Sequence, residues 1–234
     1  MNNYNQEKSK LVNSVFDRVY KNYDLMNDIM SFGVHRIWKK NLVSWMNPQQ
    51  GNKIIDVASG TGDLAKIISQ KNNNQNSIYC IEPNQGMFDT GEKKLSYLKN
   101  IKWHLCPAEK LPFEDDTFDF YTISYGIRNV TDINKCLKEA FRVLKPGGQF
   151  LCLEFSKVEN EILNLFYQNY SKLIPIFGKI IVGSSDPYEY LISSIDKFYD
   201  QNELAELMNK NKFTNVQFRN LSNGISAIHS GWKI

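Results

Sequence analysis

A short apolar strand followed by a glycine turn and an amphipathic helix is the feature that most restricts the fold of this chain. The run extends from Lys53 to Asp63 and reads KIIDVASGTGD. Gly60 and Gly62 have no Cβ, so the backbone can bend sharply here and approach a bound ligand closely. The helix that opens near Asp63 presents unpaired backbone amides at its first turn. This arrangement predicts a binding loop for a nucleotide-like ligand.

An acidic residue, Glu82, ends the second predicted strand and lies twenty residues after Gly62. A carboxylate at this distance from a glycine loop is typical of a ribose clamp, because it accepts hydrogen bonds from both ribose hydroxyls. The loop alone is a weak signal, since ordinary turns between a strand and a helix also contain glycine. Together with Glu82 it predicts a site for a cofactor that contains a nucleoside.

Two kinds of nucleotide cofactor fit this loop. The run from Gly60 to Ala65 satisfies the dinucleotide fingerprint, in which the third position can be alanine. Asp56 and Asp63 flank the glycines, however, and their carboxylates would repel a pyrophosphate. They favour S-adenosylmethionine, which carries a sulfonium and an amino group and has no phosphate. The alternative roles are that Asp56 accepts loop amides and that Asp63 caps the following helix.

Composition limits the remaining function classes. A chain of 234 residues with 42% hydrophobic content suits one domain with a substantial core. A net charge of +3, without runs of five or more like charges, does not indicate a nucleic-acid partner. The four cysteines are isolated in sequence, which predicts buried free thiols and no metal site. A polar N-terminus and the lack of a long apolar stretch predict a cytoplasmic protein without a membrane span.

Hydrophobic periodicity predicts alternating strands and helices after a helical segment at 8–47. Strands are predicted at 53–57, 77–82, 101–106, 118–124, 149–155, 214–220 and 225–231, and helices at 63–71, 84–96, 132–144 and 201–211. Such alternation predicts a parallel sheet that is covered on both faces. A hairpin signal at Ser222 to Gly224 predicts an antiparallel end to the sheet. These elements describe an α/β fold of the class I methyltransferase, Rossmann-like type.

Two segments resemble the signatures of the ubiquinone/menaquinone biosynthesis C-methyltransferases. They are Tyr23 to Trp38, YDLMNDIMSFGVHRIW, and Arg142 to Ser156, RVLKPGGQFLCLEFS. The resemblance extends over essentially the whole chain and includes the runs ISYGIRNV, at 123–130, and GISAIHSGW, at 224–232. It implies one S-adenosylmethionine-dependent methyltransferase domain over 1–234. Within it, we expect an N-terminal helical cap at 1–47 and a helical lid insertion at 157–200.

The resemblance also implies which residues bind the cofactor. Besides Asp56, Gly60 and Gly62, the set comprises Thr61, Glu82, Pro107, Ala108 and Ser124. This chain departs from the family pattern at three positions, with Ser59 in place of Gly, Glu82 in place of Asp, and Pro107 in place of Asn or Asp. Pro107 has neither a polar side chain nor a backbone N–H. Adenine must then be held by the Ala108 N–H, by a neighbour such as Glu109, or by stacking.

The implied reaction is methylation of a ring carbon of a polyprenylated quinol. Such a carbon becomes more nucleophilic as the adjacent hydroxyl loses its proton, so an oxyanion partner is needed. We expect Arg128 to stabilise the phenolate, Asn129 to orient it, and Tyr23 to line the same mouth. The alternative is a surface ion pair for Arg128 and a turn cap for Asn129. The head group stays open between 2-polyprenyl-6-methoxy-1,4-benzoquinol, which we favour, and demethylmenaquinol.

The apolar segment 162–182 has helical spacing that is broken at Pro175. It either packs over the sheet or forms a lid that lines a channel for the isoprenoid tail and touches the inner face of the membrane transiently. Expected partners are the quinol and either a second copy of the chain or a quinone-biosynthesis complex. The competing functions are a nicotinamide-dependent oxidoreductase, a methyltransferase for another small molecule, and a catalytically silent cofactor-binding subunit.

Overall fold

The alternating apolar segments form one seven-stranded sheet in the computed structural model, which describes residues 3–20, 25, 27, 28, 31, 33–158 and 186–234. The strands are β1 Lys53–Val57, β2 Ser77–Ile81, β3 Ile101–His104, β4 Phe118–Ser124, β5 Leu144–Phe155, β6 Thr214–Leu221 and β7 Ser226–Trp232. The helices are α1 Asn3–Val19, α2 His35–Met46, α3 Asp63–Lys71, α4 Gln85–Lys94, α5 Ile133–Val143, α6 Asp186–Asp196 and α7 Gln201–Lys210, with a 3₁₀ helix at Ile127–Asn129.

The strand order explains where a ligand can bind. The order is β3-β2-β1-β4-β5-β7-β6, and β1 to β5 pair in parallel. β7 runs antiparallel to both β5 and β6, as the hairpin signal predicted. The chain leaves β1 towards β2 on one side, whereas β4 lies on the other side of β1. Ligands of such sheets bind in the crevice beyond the carboxyl ends of the strands at this point.

Two hydrophobic layers cover the sheet, because successive strand side chains point to opposite faces. Ile54 of β1 joins the layer built with α2, α3 and α6, whereas Ile55 joins the layer built with α5 and α7. Both side chains are fully buried. Burying a side chain of this size contributes about 1.5–3 kcal/mol. The predicted α/β fold with helices on both faces of a mostly parallel sheet is confirmed.

The fifth strand begins earlier than its apolar pattern predicts. β5 starts at Leu144 rather than at residue 149, directly after α5 ends at Val143. The pairing with β4 shifts between Phe118 and Phe120, so the Pro-Gly-Gly run at 146–148 lies in a bulge. A bulge tolerates proline because no ladder hydrogen bond is required there. The cap of α5 is Asp132, whose side chain accepts from the Lys135 N–H at 3.1 Å.

Helix α1 lies across the carboxyl end of the sheet and forms part of the expected N-terminal cap. The Lys8 ammonium donates to the Val130 carbonyl at 2.6 Å, and Asp17 accepts from the Asn84 side chain at 2.7 Å. Of the expected lid at 157–200, the structure describes 157, 158 and 186–200, and the segment 162–182 lies outside the described residues. Among the helices that are described, none combines the length and hydropathy needed to cross a membrane.

Candidate active site

A cavity of about 600 Å³ opens beyond the carboxyl ends of β1, β2 and β4. Five of the residues predicted from the sequence line it, namely Gly60, Glu82, Pro107, Ala108 and Asn129. Val12, Asn13 and Phe16 of α1 line its other side, so this helix forms part of the cavity wall. The structure therefore brings the predicted ribose clamp and one predicted catalytic residue into a single enclosed space.

A second, much smaller cavity of about 20 Å³ adjoins the first one. Three other predicted cofactor residues line it, namely Asp56, Thr61 and Ser124. Ala58 and Tyr125 line both cavities and so mark the boundary between them. Seven of the eight predicted cofactor residues thus line one of the two cavities, and Gly62 is the exception.

Two residues with strained backbone conformations lie at this boundary. Ala58 and Tyr125 have φ values of 52° and 57°, in the left-handed region that residues with a Cβ seldom adopt. They follow β1 and β4 directly, and a Cβ added at Gly126 would lie 2.4 Å from the Ala58 Cβ. Such conformations cost roughly 1–3 kcal/mol and persist mainly at functional sites. Glycine at 126 therefore allows the two strand ends to approach each other beside the cavity.

Glu82 has the geometry that a ribose clamp requires. Its Oε2 accepts from the Gly60 N–H at 2.8 Å, and its Oε1 accepts from the Asn84 N–H at 3.0 Å. The side chain is buried, and burial raises its pKa to about 7. A carboxylate offers about four acceptor positions, so two remain for a ligand in the cavity. The clamp role stays a prediction, and the position of Glu82 supports it.

Asp56 is buried at the end of β1 and keeps one oxygen unused. Its Oδ1 accepts from the Thr122 hydroxyl at 2.9 Å, rather than from loop amides as the alternative interpretation expected. Its Oδ2 and the Ser124 Oγ are buried without a hydrogen-bond partner among the described residues. Burial raises the pKa of Asp56 to about 7. Unsatisfied buried acceptors are costly, so this pair of oxygens indicates a place for a bound donor.

Asp63 does not contribute the free negative charge that the sequence suggested. Lys94 Nζ lies 2.9 Å from its Oδ1, and Lys39 Nζ lies 3.5 Å from its Oδ2. Burial alone would raise the pKa of Asp63, but the two lysines lower it below its usual value. The preference for a cationic ligand therefore rests on Asp56 and Glu82. Sequence analysis missed Lys39, although it follows Trp38 on the apolar face of α2.

Gly62 is required for packing as well as for conformation. It adopts φ 83° before α3, and a Cβ there would lie 2.6 Å from the Leu95 side chain.

Near Pro107, two groups could contact adenine. The Glu109 carboxylate already accepts from the Thr131 N–H at 2.6 Å and from the Asp132 N–H at 3.1 Å. These bonds use only Oε1, so Glu109, which itself lines the large cavity, keeps Oε2 as an acceptor for the adenine amine. The Ala108 N–H, which no hydrogen bond between described residues engages, is a second candidate partner of adenine.

Arg128 lies below the cavity rather than in it. Its Nη1 donates to Glu154 Oε1 at 2.6 Å and to the Tyr125 carbonyl at 2.7 Å, while Nε contacts the Ser194 hydroxyl at 3.3 Å. The side chains of Arg128 and Glu154 are only 4% and 1% exposed. Burial raises the pKa of Glu154, and the neighbouring guanidinium opposes that shift. The alternative of an ion pair is correct, but its expected surface location is wrong.

Asn129, the next residue, faces the large cavity. Its Oδ1 accepts from the Tyr190 hydroxyl at 3.1 Å. Tyr190 and Ser194 are four residues apart on α6, so a single face of this helix holds both Asn129 and Arg128. Neither Tyr190 nor Glu154 was predicted as a partner, although Glu154 stands in the second signature segment. Tyr23, the third predicted catalytic residue, lies outside the described residues.

These residues fit S-adenosylmethionine. Glu82 retains acceptor positions for ribose hydroxyls, Asp56 retains one for an ammonium group, and Ala108 retains a donor for adenine. Within the part of the chain that the structure describes, no cluster of three or more histidine, cysteine, aspartate or glutamate residues could hold a metal ion.

Known proteins agree with this geometry. The model of the ubiE/COQ5 methyltransferase family matches residues 1–233. A protein from Brucella suis, named ubiquinone/menaquinone biosynthesis C-methyltransferase UbiE, is 47% identical over 97% of this chain and 87% of its own length. A Rickettsia bellii protein of the same name is 48% identical over 97% of this chain and 94% of its own length.

Solved structures share the fold at low sequence identity. A SAM-dependent methyltransferase from Thermotoga maritima superposes with a TM-score of 0.67 at 21% identity, over 94% of this chain and 99% of that one. A phosphoethanolamine N-methyltransferase from Haemonchus contortus, in complex with S-adenosylhomocysteine, gives 0.62 at 13% identity, over 84% and 52%. The chain belongs to the ubiE/COQ5 methyltransferase family and is a methyltransferase whose methyl donor is S-adenosylmethionine, as its sequence predicted.

Proposed function

We propose that this enzyme methylates a ring carbon of a polyprenylated quinol in ubiquinone/menaquinone biosynthesis. The acceptor is 2-polyprenyl-6-methoxy-1,4-benzoquinol, demethylmenaquinol, or both. The observation that carries the proposal is the cavity of about 600 Å³, which reaches from Glu82 to Asn129 and so joins a cofactor half to a substrate half. Relatives that carry this activity in their names match along nearly the whole chain.

The residues of the chain bind the cofactor, orient the quinol and stabilise the charge that develops on it. S-adenosylmethionine supplies an electrophilic methyl group when bound, and the proposed contacts to it are Asp56, Gly60, Thr61, Gly62, Glu82, Pro107, Ala108 and Ser124. On the substrate half, the Asn129 amide nitrogen has no hydrogen-bond partner among the described residues, while its oxygen is held by Tyr190. It can therefore donate to the quinol oxygen as that oxygen becomes a phenolate.

Arg128 holds the 3₁₀ helix that carries Asn129, on the side away from the cavity. Its guanidinium is bonded to Glu154 and to the Tyr125 carbonyl, and it does not line the cavity. We therefore assign Arg128 to hold the 3₁₀ helix that presents Asn129. Tyr23 remains a proposed residue of the substrate mouth.

Methyl-transfer assays with both head groups test the proposal. Each short-chain quinol is incubated with the enzyme and S-adenosylmethionine, with and without dithionite, and the methylated product is measured by mass spectrometry. We expect turnover only with reduced substrate, because the oxidised ring has no hydroxyl to deprotonate and its carbon is electrophilic. Equal methylation of the oxidised quinone would contradict the phenolate mechanism. If neither head group is methylated, the alternative of a methyltransferase for another small molecule would be favoured.

We also propose a cytoplasmic protein that visits the inner face of the membrane, since the isoprenoid tail of its substrate resides in lipid. Lys10, Lys110 and Lys135 line the mouth of the large cavity and carry positive charge towards anionic lipids. Flotation with vesicles of anionic lipid should show weak binding that falls with salt and with Lys10→Glu/Lys110→Glu. No binding under any salt condition would mean that a second copy or a quinone-biosynthesis complex delivers the substrate.

A further inference from the structure

Helix α1 forms one wall of the large cavity and is fastened near both of its ends. Near its start, the Lys8 ammonium donates to the Val130 carbonyl at 2.6 Å, on the proposed substrate half. Val12 and Phe16, about one and two turns further along α1, line the cavity. Near its end, the helix contacts the loop between β2 and α4, on the proposed cofactor half. The position of α1 therefore affects both halves of the cavity.

The contact on the cofactor half is made by Asn84, which is 4% exposed and connects three elements. Its backbone N–H donates to Glu82 Oε1 at 3.0 Å. Its side-chain oxygen accepts from the Met87 N–H at 3.0 Å and so caps α4. Its side-chain nitrogen donates to Asp17 Oδ1 at 2.7 Å. Because both ends of the amide are used, one orientation of Asn84 positions α1 relative to the predicted ribose clamp.

A glycine in the first turn of α4 allows a second contact from the end of α1. A Cβ added at Gly86 would lie 3.1 Å from the ring of Tyr20, the residue that follows α1. This distance is shorter than ordinary van der Waals contact, so the missing side chain lets the Tyr20 ring lie against α4. Glycine lowers the stability of a helix relative to alanine, and here the packing of Tyr20 explains its presence.

A ligand at the ribose clamp should strengthen these contacts. Burial raises the pKa of Glu82 to about 7, so neutral and charged forms coexist near neutral pH when no ligand is bound. Ribose hydroxyls that donate to the carboxylate favour its charged form. A charged carboxylate accepts a shorter and stronger hydrogen bond from the Asn84 N–H than a neutral carboxyl does. Bound cofactor therefore fixes Asn84 more firmly, and with it the side chain that holds Asp17.

We propose that Asn84 and Asp17 are positioning residues that transmit cofactor binding to α1. When the ribose clamp is occupied, α1 is held more firmly against the cavity, and Val12 and Phe16 are in place before the quinol binds. By thermodynamic linkage, a bound quinol strengthens cofactor binding by the same factor. Only the consequence for the quinol rests on the proposed function, because the response of α1 requires the cofactor alone.

Amide hydrogen exchange followed by mass spectrometry tests this response without a quinol. A saturating concentration of S-adenosylhomocysteine should slow the exchange of amides at 11–19 by about fivefold or more in the wild type. Asp17→Ala removes the acceptor and should abolish this slowing, whereas Asp17→Asn keeps an oxygen that can accept from Asn84 and should retain it. Asp17 does not line the cavity, so neither variant should weaken S-adenosylhomocysteine by more than the factor of the lost coupling.

Arg18→Met is the matched control on the same helix. Arg18 forms an exposed ion pair with Asp186, at the start of α6, and such pairs contribute little to stability. This variant should show the same slowing as the wild type, and urea unfolding confirms that each variant is folded. The proposal would be overturned by slowing that persists in Asp17→Ala, by equal losses in Arg18→Met and Asp17→Ala, or by a wild type whose α1 does not respond to the ligand.

The consequence for the substrate is measured by titration with the short-chain quinols of the methylation assay. In the wild type and in Asp17→Asn, S-adenosylhomocysteine should strengthen quinol binding by about fivefold or more, and in Asp17→Ala by less than twofold. Equal quinol affinity with and without S-adenosylhomocysteine in the wild type would overturn the transmission to the substrate half. If no quinol binds while the exchange results hold, the proposed substrate is wrong and the role of Asn84 and Asp17 stands.

Discussion

The proposed cofactor half and the proposed substrate half of the cleft use buried charge in opposite ways. On the cofactor half, Asp56 and Glu82 are bonded only by neutral donors, and both keep acceptor positions that face a cavity. On the substrate half, the Arg128 guanidinium is paired with Glu154 and faces no cavity. Both halves bury ionisable groups at strand ends, but only the first leaves them available to a ligand.

Residue type and position at a strand end therefore do not by themselves show whether a side chain binds a ligand or stabilises the surrounding structure. Arg128 and Asn129 are neighbours on one 3₁₀ helix, yet Arg128 is satisfied by the protein and Asn129 retains unused donors towards the cavity. A buried polar atom that lacks a partner among the described residues indicates a ligand site only where it also borders a cavity, because Glu154 Oε2 and the Tyr188 hydroxyl lack a partner and border neither cavity.

The largest effect is expected at Arg128. Replacing it by methionine leaves Glu154 as an unpaired buried carboxylate, which should lower the free energy of unfolding by about 3–5 kcal/mol. Urea unfolding followed by circular dichroism measures this change. If Arg128→Met keeps wild-type stability and loses only turnover, Arg128 belongs to the chemistry and the contrast between the two halves fails.

The matched control is the double variant Arg128→Met/Glu154→Gln. It removes the unpaired charge while the Gln oxygen can still accept from the Phe155 N–H, as Glu154 Oε1 does at 2.9 Å. The double variant should recover more than half of the lost stability, because the penalty arises mainly from the orphaned carboxylate. Additive losses would show that Arg128 stabilises the fold through its other contacts.

The next largest effect is expected at Asn129, on turnover rather than on folding. Asn129→Ala removes the donor that faces the substrate and should lower kcat by about 10²- to 10³-fold, as loss of an oxyanion donor does. Binding of S-adenosylhomocysteine should remain near the wild-type value. Steady-state kinetics and calorimetry measure the two properties separately. A loss confined to cofactor affinity would show that Asn129 contacts the cofactor and not the quinol.

Glu82 provides a pH test of the cofactor half. Burial raises its pKa in the folded protein to about 7, whereas the ordinary value is 4.5. The folded state therefore binds a proton more tightly, and the resulting stability is fully present below about pH 4.5 and is lost as the pH rises through 7. Between pH 8 and pH 5, the wild type should gain about 2 kcal/mol of unfolding free energy relative to Glu82→Gln.

The comparison with Glu82→Gln isolates this carboxyl from other groups. Burial also lowers the pKa values of His35 and His229 to about 4, and their stability is lost on acidification, in the opposite direction. Asp56 has a raised pKa like that of Glu82. The two histidines are common to both proteins and cancel in the difference, whereas the Asp56 charge is one of the causes that raise the Glu82 pKa and is part of the measured effect. An identical pH dependence of the two proteins would show that Glu82 is ionised normally in the fold.

The fold could be predicted because its signals are local. Apolar runs and a glycine turn placed β1, β2 and α3 within one residue, since these elements follow from neighbouring residues. The start of β5 could not be predicted in this way. Its bulge at 146–148 depends on pairing with β4 and on hydrogen bonds between Gly147, Gly148 and Lys233, which is 85 residues after Gly148. Proline and glycine in sequence indicate a turn, whereas tertiary pairing converts that turn into a bulge.

The glycine loop of the candidate site could be predicted from the sequence, whereas its ion pairs between residues on different elements could not. The glycine loop and Glu82 were identified from spacing along one strand-helix-strand unit. By contrast, the Lys39–Asp63 and Arg128–Glu154 pairs join residues 24 and 26 positions apart on different elements. Periodicity places each residue on a helix or strand, but it does not determine which charges meet after the sheet is assembled. This is why Asp63 looked free and Arg128 looked available.

The smallest predicted effect concerns Tyr190, which holds Asn129 from α6. Its hydroxyl donates to Asn129 Oδ1, so the amide nitrogen is left to face the cavity. Tyr190→Phe removes one neutral hydrogen bond, worth about 0.5–1.5 kcal/mol, and should lower kcat roughly threefold to tenfold while KM stays constant. Tyr188→Phe is the control, because it lies on the same helix with a buried hydroxyl that has no partner among described residues. A KM increase in Tyr190→Phe, or equal kcat losses in both variants, would show that α6 acts on packing and not on the orientation of Asn129.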